Sequence, residues 1–415
     1  MDYLIVGGGI AGTTAAETIR RRSARRIMIV TDDRHTLYSR VRLPDYITGK
    51  IPREKLFIKE EEWYQENAID LCREVSVQRI SLHKRHADLS NGLTVQYERL
   101  LLATGGTVRR VRCPGAELEK IYYLRTFEDA ECIKQTIQSA KKAVVIGGGF
   151  IGLEMVRCFI QAGLETVMVM MEPRFWPLAL DKESAGMIED VLRQKRVPIL
   201  YSDQVKEFRG NGHVQMVVLA SGKSFGCDMV GVGVGIDTLP PFIKESGLRI
   251  QSGVLTDESL QTSDPHVFAA GDVAEFYDVS RAQRNKMGNW TNAAEQGKVA
   301  GANMLGERNI FQSVSSYVIR VFGLNIGLVG DTTLLPGTEV IQRGSASAGG
   351  YVRLFLRDGR LRGATLMNRS HEIKPITELI KRSTKMEPYR SALSDVHCDL
   401  ESFLVSDAHQ AARST

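Results

Sequence analysis

The chain has 415 residues, 43% hydrophobic and 25% charged, with 54 basic against 49 acidic side chains and a net charge of +5. That profile excludes a disordered or low-complexity chain, and the length allows about three domains of roughly 150 residues. No run of about 18 apolar residues occurs, so no membrane span is expected; no basic stretch is interleaved with aromatics, so no nucleic-acid partner is expected.

The stretch DYLIVGGGIAGTTAAETI, residues 2–19, reads as a short strand, a glycine turn and a helix with small residues on one face. The opening MD runs directly into that strand, so no signal peptide is expected. Gly7, Gly9 and Gly12 stand in G-x-G-x-x-G spacing. In a dinucleotide site such glycines serve a tight turn, close approach of backbone to pyrophosphate, and close strand–helix packing. The helix N-terminus offers N–H groups and a positive dipole end to the phosphates. Ala16, four residues past Gly12, keeps the packing face small. The helix runs into RRRSARR, Arg20 to Arg26. This is either a solvated helix end, where arginines suit the negative dipole end, or a patch that attracts an acidic protein. The next strand, RRIMIVTDD, places Asp32 20 positions past Gly12. At that distance a carboxylate accepts the hydroxyls of a ribose.

The device recurs in KKAVVIGGGFIGLEM, residues 141–155, with Gly147, Gly149 and Gly152. ETVMVMME supplies the second strand, and Glu172 lies 20 positions past Gly152. Glycines and acids are both displaced by 140 residues between the copies. A pair of ligand-free glycine turns would not need the repeated acid. Two bound dinucleotides are therefore expected, with hydride transfer from one to the other. The six cysteines, Cys72, Cys113, Cys132, Cys158, Cys227 and Cys398, form no C-x-x-C, so no metal site is expected. Scattered thiols suit a reducing cytoplasm.

Three further segments carry a family resemblance: YERLLLATGG (97–106), GVGVGIDTL (231–239) and TSDPHVFAAGDV (262–273), the last in a T-x6-A-x-G-D pattern. With them the sequence resembles, over about residues 1–310, the two-dinucleotide flavoprotein reductases of glutathione-reductase-like fold. The resemblance implies an α/β fold: two Rossmann-like domains, the FAD-binding one discontinuous, and a small α+β C-terminal domain. It places FAD in residues 1–112 and 240–312, NAD(H) in 113–239, and the C-terminal domain in 313–415. The FAD residues it implies are Gly7, Gly9, Ile10, Ala11, Gly12, Asp32, Asp33, Val77, Ala103, Thr104, Gly105, Gly271 and Asp272. The NAD(H) residues are Gly147, Gly149, Phe150, Ile151, Gly152, Glu172, Gly233 and Gly235. Asp272 is either a ligand to a ribityl hydroxyl or an N-cap for the segment that follows. Glu172 favours a free ribose 2′-hydroxyl and repels a 2′-phosphate, so NADH is expected over NADPH, with Arg174 as a partial counterweight.

The branch is read from YSRVRLPDYITG, residues 38–49. The disulfide-reducing branches carry cysteines in this region, and Val41 stands at the position of one of them. Without a thiolate beside the flavin there is no covalent relay to a disulfide substrate. The stretch is most similar to the rubredoxin-reductase, ferredoxin-reductase and nitrite-reductase flavin modules. Arg40 matches an arginine of that branch, near the FAD, or is a surface arginine. Asp45 replaces a lysine that several ferredoxin-reductase relatives place near flavin N5. Trp290 opens a helix with small contacts at Ala293, Ala294, Gly297, Ala300 and Gly301; it lies against the flavin or packs in the core. Glu154 shapes the nicotinamide pocket or is an exposed first-turn carboxylate.

In the tail, YVRLFLRDGRLRGATL alternates around Asp358-Gly359, a two-residue hairpin signal, and EIKPITELIKR reads as a helix with Pro375 in its first turn. No acid–base side chain is obligatory for hydride transfer, because the cofactors carry the chemistry. The expected activity is electron transfer from NADH through FAD to a small electron-carrier protein or redox subunit. An NADH oxidase or peroxidase and a redox-sensing flavoprotein remain open alternatives, as does a homodimer.

Overall fold

A computed structural model describes residues 1–278 and 283–404. The chain divides into two units, Met1–Arg109 with Ile236–Ser313, and Arg110–Gly235 with Val314 onward.

The first unit is built on a parallel sheet in the order Val267–Ala269, Arg99–Leu102, Tyr3–Val6, Ile27–Val30, Ile69–Cys72. The run Tyr3–Val6 is buried at every position, as a strand covered on both faces must be. Strand order reverses between Tyr3–Val6 and Arg99–Leu102, and ligands of such sheets bind beyond the carboxyl ends at that switch point. The helix Ile10–Arg20 follows the first strand. Its small face admits a second helix, Trp290–Met304, at very close range: a Cβ on Gly297 would lie 2.2 Å from the Ala11 carbonyl oxygen, and one on Gly301 2.8 Å from that of Ala15.

The arginine cluster pairs with groups of this unit at its surface. Arg20 donates to the carbonyls of Ser23 and Ala68, Arg21 pairs with Glu17, Arg22 with Glu307, and Arg25 with Asp2 and Glu98. Arg21, Arg22, Arg25 and Arg26 nevertheless remain at the surface, as the solvated helix end expected from the sequence.

The second unit repeats the architecture. Its parallel sheet runs Ile199–Leu200, Glu165–Val169, Lys142–Ile146, Met229–Val232, Ile121–Tyr123, with the reversal between Lys142–Ile146 and Met229–Val232. The helix Phe150–Gln161 follows its first strand. The unit also holds a five-stranded antiparallel sheet, in the order Ser316–Val321, Leu324–Gly330, Arg360–Met367, Gly350–Arg357, Glu339–Ser345. The hairpin stands where Asp358-Gly359 placed it: Arg357 pairs with Arg360, and both turn residues have positive φ, 51° and 66°, the geometry that matches strand twist in a two-residue turn. The helix Ile373–Lys381 carries Pro375 in its first turn and buries Ile376, Leu379 and Ile380. Arg343, 1% exposed, is held by Glu372 at 3.1 Å, and Glu372 also pairs with Arg369. Residues 405–415, the end of the expected C-terminal domain, lie outside the described residues.

Candidate cofactor sites

Each glycine loop is a corner that no larger residue fits. Gly7 has φ +115°, and a Cβ there would meet the Ala103 carbonyl oxygen at 2.2 Å. Gly147 has φ +102°, and its Cβ would meet the Gly233 carbonyl oxygen at 2.4 Å. The second glycines differ in kind. A Cβ on Gly9 would meet nothing within 4 Å, and one on Gly149 only the Gly233 oxygen at 3.8 Å. No protein neighbour demands a bare backbone there, and an approaching pyrophosphate would. Both glycines are helix N-caps with no side-chain hydrogen bond, so the first-turn N–H groups of Ile10, Ala11, Phe150 and Ile151 are left to an anion. Both loops therefore fit a dinucleotide.

The acids need one adjustment. Gly7 donates to Val30 O and Gly147 to Val169 O, each at 2.8 Å, so these strand ends correspond. Thr31 N bonds Cys72 O at 2.9 Å, as Met170 N bonds Leu200 O at 2.9 Å. Glu74 N bonds Asp33 O at 3.3 Å, as Ser202 N bonds Glu172 O at 3.3 Å. The structural counterpart of Glu172 is thus Asp33, not Asp32; the second copy is one residue shorter between helix and strand. Asp32 is exposed, with no hydrogen bond or ion pair among the described residues. Asp33 accepts from Tyr38 at 3.0 Å and Arg40 at 3.1 Å on Oδ2, and from His35 N at 3.0 Å on Oδ1. Arg40 is therefore committed to Asp33 rather than free in solvent.

Around the first loop, Gly105 and Gly271 have φ of +63° and +82°. Gly271 N donates to Gln296 at 2.7 Å. Thr104 Oγ1, Asn292 Oδ1 and Gln296 Nε2 are buried polar atoms with no protein partner. Asp272 lies half-buried in the short turn Gly271–Val273 and is not its cap, so the N-cap reading falls. Val77 is buried in the core, which leaves only its backbone to a ligand. Trp290 is half-buried at the first position of its helix. Sequence reasoning passed over Lys286, which donates to Thr238 Oγ1 and Ser252 O at 2.7 Å. Burial, opposed by Glu275 and Asp272, pulls its amine below the usual lysine range.

At the second loop, Gly235 has φ +98°. Glu172 is exposed. Arg174 turns back on its own loop, donating to Pro177 O at 3.1 Å. Glu154 is not an exposed carboxylate: it takes Arg157 Nε at 2.7 Å and Nη2 at 2.6 Å, and that arginine is 6% exposed. Arg157, one helical turn on, was legible only as a possible i,i+3 partner.

None of the six cysteines is in a disulfide. Burial pushes the Cys227 thiol up to about 12 and raises that of Cys113, the opposite of an activated thiolate. Val41 is 63% exposed. Among the described residues there is no cluster able to hold a metal and no helix long and apolar enough to cross a membrane.

Residues 1–297 match the family profile "Pyridine nucleotide-disulphide oxidoreductase", and residues 321–404 match "Reductase C-terminal". The ferredoxin–NAD(+) reductase component of the biphenyl dioxygenase system of Paraburkholderia xenovorans is 29% identical over 96% of this chain and 97% of its own length. Rubredoxin–NAD(+) reductase of Pseudomonas putida is 28% identical over 74% of this chain and 80% of its own. Among solved structures, that of the covalent putidaredoxin reductase–putidaredoxin complex aligns with TM-score 0.92 at 26% identity, over 98% of this chain and 99% of that one. With a glycine-loop helix at each of two switch points and a family match over most of its length, the chain belongs to the pyridine nucleotide-disulphide oxidoreductase family.

Proposed function

We propose that this chain oxidises NADH and passes the electrons, through FAD, to a small iron-containing electron carrier of the ferredoxin or rubredoxin kind. The observation that carries the reading is the duplicated corner: two glycine loops, each opening an uncapped helix at a switch point, each followed by a carboxylate. FAD and NAD(H) supply hydride transfer and single-electron release when bound.

The chain's own residues bind and orient. The N–H groups at Ile10 and Ala11 take the FAD pyrophosphate, and Asp33 takes its adenosine ribose. Thr104, Gln296 and Asn292 offer unspent polar atoms to the flavin, Asp272 accepts from a ribityl hydroxyl, and Trp290 flanks the ring. In the second unit the N–H groups at Phe150 and Ile151 take the NADH pyrophosphate, and Glu172 takes the free 2′-hydroxyl. Arg174, bonded to Pro177, is not extended toward a 2′-phosphate, which favours NADH over NADPH. Arg157 holds Glu154 at the nicotinamide pocket. With Val41 in place of a cysteine, electrons leave without a thiol relay. The six thiols fit a reducing cytoplasm.

The test is spectroscopic. The purified protein should be yellow, and anaerobic NADH should bleach it. Mixing with ferredoxin or rubredoxin should then restore the oxidised spectrum faster than air does. A colourless protein indifferent to NADH overturns the reading, and reoxidation by air as fast as by any carrier replaces it with an oxidase.

A further inference from the structure

Trp176 sits where a tryptophan is strained. Its φ is +42°, a left-handed conformation that is a genuine outlier for a bulky residue. Pro177 follows it and narrows the backbone choice further. Strain of this kind persists only where the surroundings over-determine it, and it concentrates at functional positions. Here the surroundings are specific. The indole N–H donates to the carbonyl oxygen of Gly148 at 2.9 Å. The ring centroid lies 4.6 Å from that of Phe150, which stacks on Tyr317 at 5.6 Å with an 8° interplanar angle. The Trp176 carbonyl accepts from Ala179 N at 2.9 Å and Leu180 N at 2.8 Å.

The first copy explains what the bond does. There the equivalent carbonyl, Gly8 O, is held from within its own helix by Thr13 Oγ1 at 3.1 Å. Thr13 N bonds Gly9 O at 3.0 Å, as Leu153 N bonds Gly149 O at 3.0 Å, so Leu153 is the counterpart of Thr13. Leucine has no donor. The second loop has lost its internal restraint, and an indole from the loop after the next strand replaces it. Because the peptide is planar and trans, fixing the Gly148 carbonyl fixes the Gly149 N–H on the opposite side. That N–H belongs to the glycine whose missing Cβ leaves open space.

We propose that Trp176 is a positioning residue for the second nucleotide loop. It holds the Gly148–Gly149 peptide so that the loop and helix N–H groups stay aimed at the pyrophosphate of the bound nicotinamide nucleotide. This rests on the reading that the Gly147 loop binds NADH.

The test is binding of ADP-ribose, which carries the pyrophosphate but no redox chemistry, measured by calorimetry on the flavin-loaded protein, beside steady-state NADH kinetics with ferricyanide. Trp176→Phe keeps a ring and loses the N–H. It should keep flavin content, bind ADP-ribose about tenfold more weakly, and raise the NADH KM to match with kcat unchanged. Adding Leu153→Thr to that variant transplants the donor of the first loop and should recover most of the affinity, a gain that a merely structural role would not give. Should Trp176→Phe not fold, Trp176→His, which keeps a ring N–H, is compared with Trp176→Ala; binding retained by histidine alone supports the proposal, and equal loss overturns it. ADP-ribose bound by Trp176→Phe as tightly as by the parent overturns it as well. A parent protein that binds no ADP-ribose instead overturns the assignment of the loop.

Discussion

A Cβ on Gly12 would stand 2.0 Å from the carbonyl oxygen of Gly7, and one on Gly152 would stand 1.9 Å from that of Gly147. The third glycine of each loop is thus required by the first, whose carbonyl oxygen occupies the space a side chain would take. Neither oxygen belongs to a flexible side chain, so an added methyl displaces the loop itself. Gly12→Ala should cost about 1–3 kcal/mol in overpacking and yield protein with little bound flavin. Gly152→Ala should cost a similar amount, retain the yellow chromophore and lose reduction by NADH. Absorbance spectra of the two variants, before and after anaerobic NADH, separate the sites; flavin loss from Gly152→Ala alone would reverse the assignment.

The matching of Asp33 with Glu172 yields a second prediction. The backbone bonds from Glu74 and Ser202 give these two acids the same place, while Asp32 faces solvent one residue earlier. Asp33→Ala should weaken FAD binding about tenfold or more, the loss of a charge-assisted hydrogen bond, and Asp32→Ala should change it by less than about threefold. Titration of the apoproteins with FAD checks this. Equal losses would make both acids ligands.

The glycine spacing, the strand–turn–helix context and the repeat were legible in the sequence because each rests on local geometry: glycine alone fits Gly7 and Gly147, and the apolar runs beside them become parallel strands. The position of the acid was not, because counting residues ignores a one-residue difference between helix and strand that only backbone pairing reveals. Arg20 to Arg26 read correctly as a surface charge run, but their pairing acids, Asp2, Glu98 and Glu307, were not legible because they are scattered along the chain. Trp176 and Lys286 carry no motif; what distinguishes them is a strained φ and a pair of long-range hydrogen bonds.

Nucleotide preference depends on which charge faces the adenosine ribose. Glu172 is exposed, and Arg174 donates one Nη to the Pro177 carbonyl. Glu172→Ala should lower kcat/KM for NADH and raise it for NADPH, moving the ratio about tenfold in favour of NADPH. Steady-state rates with both nucleotides measure it. A parent protein that already prefers NADPH would show that Arg174 leaves its loop when the nucleotide binds.

Asp181 links acid sensitivity to the second unit. Its Oδ1 caps the helix Lys182–Gln194 by accepting from Ser184 N at 2.9 Å, and its Oδ2 takes the Tyr351 hydroxyl at 3.0 Å and lies 3.3 Å from Arg353 Nε. Burial alone would raise its carboxyl, but the Ser184, Arg353 and Tyr351 contacts outweigh it and hold the group below 3.8. A carboxylate depressed in the folded state contributes stability that is fully present above its unfolded pKa and is lost as pH falls through the folded one. Asp181→Ala should therefore cost about 1–2 kcal/mol at pH 7, the range for a lost N-cap. Asp181→Asn keeps a capping oxygen and should cost less. For both variants the deficit against the parent should shrink as pH drops below 3.8, because the parent then protonates and loses the same contacts. Urea midpoints at neutral and acid pH measure this, and a deficit for Asp181→Asn that stays constant down to acid pH would show that the charge on Asp181 contributes nothing.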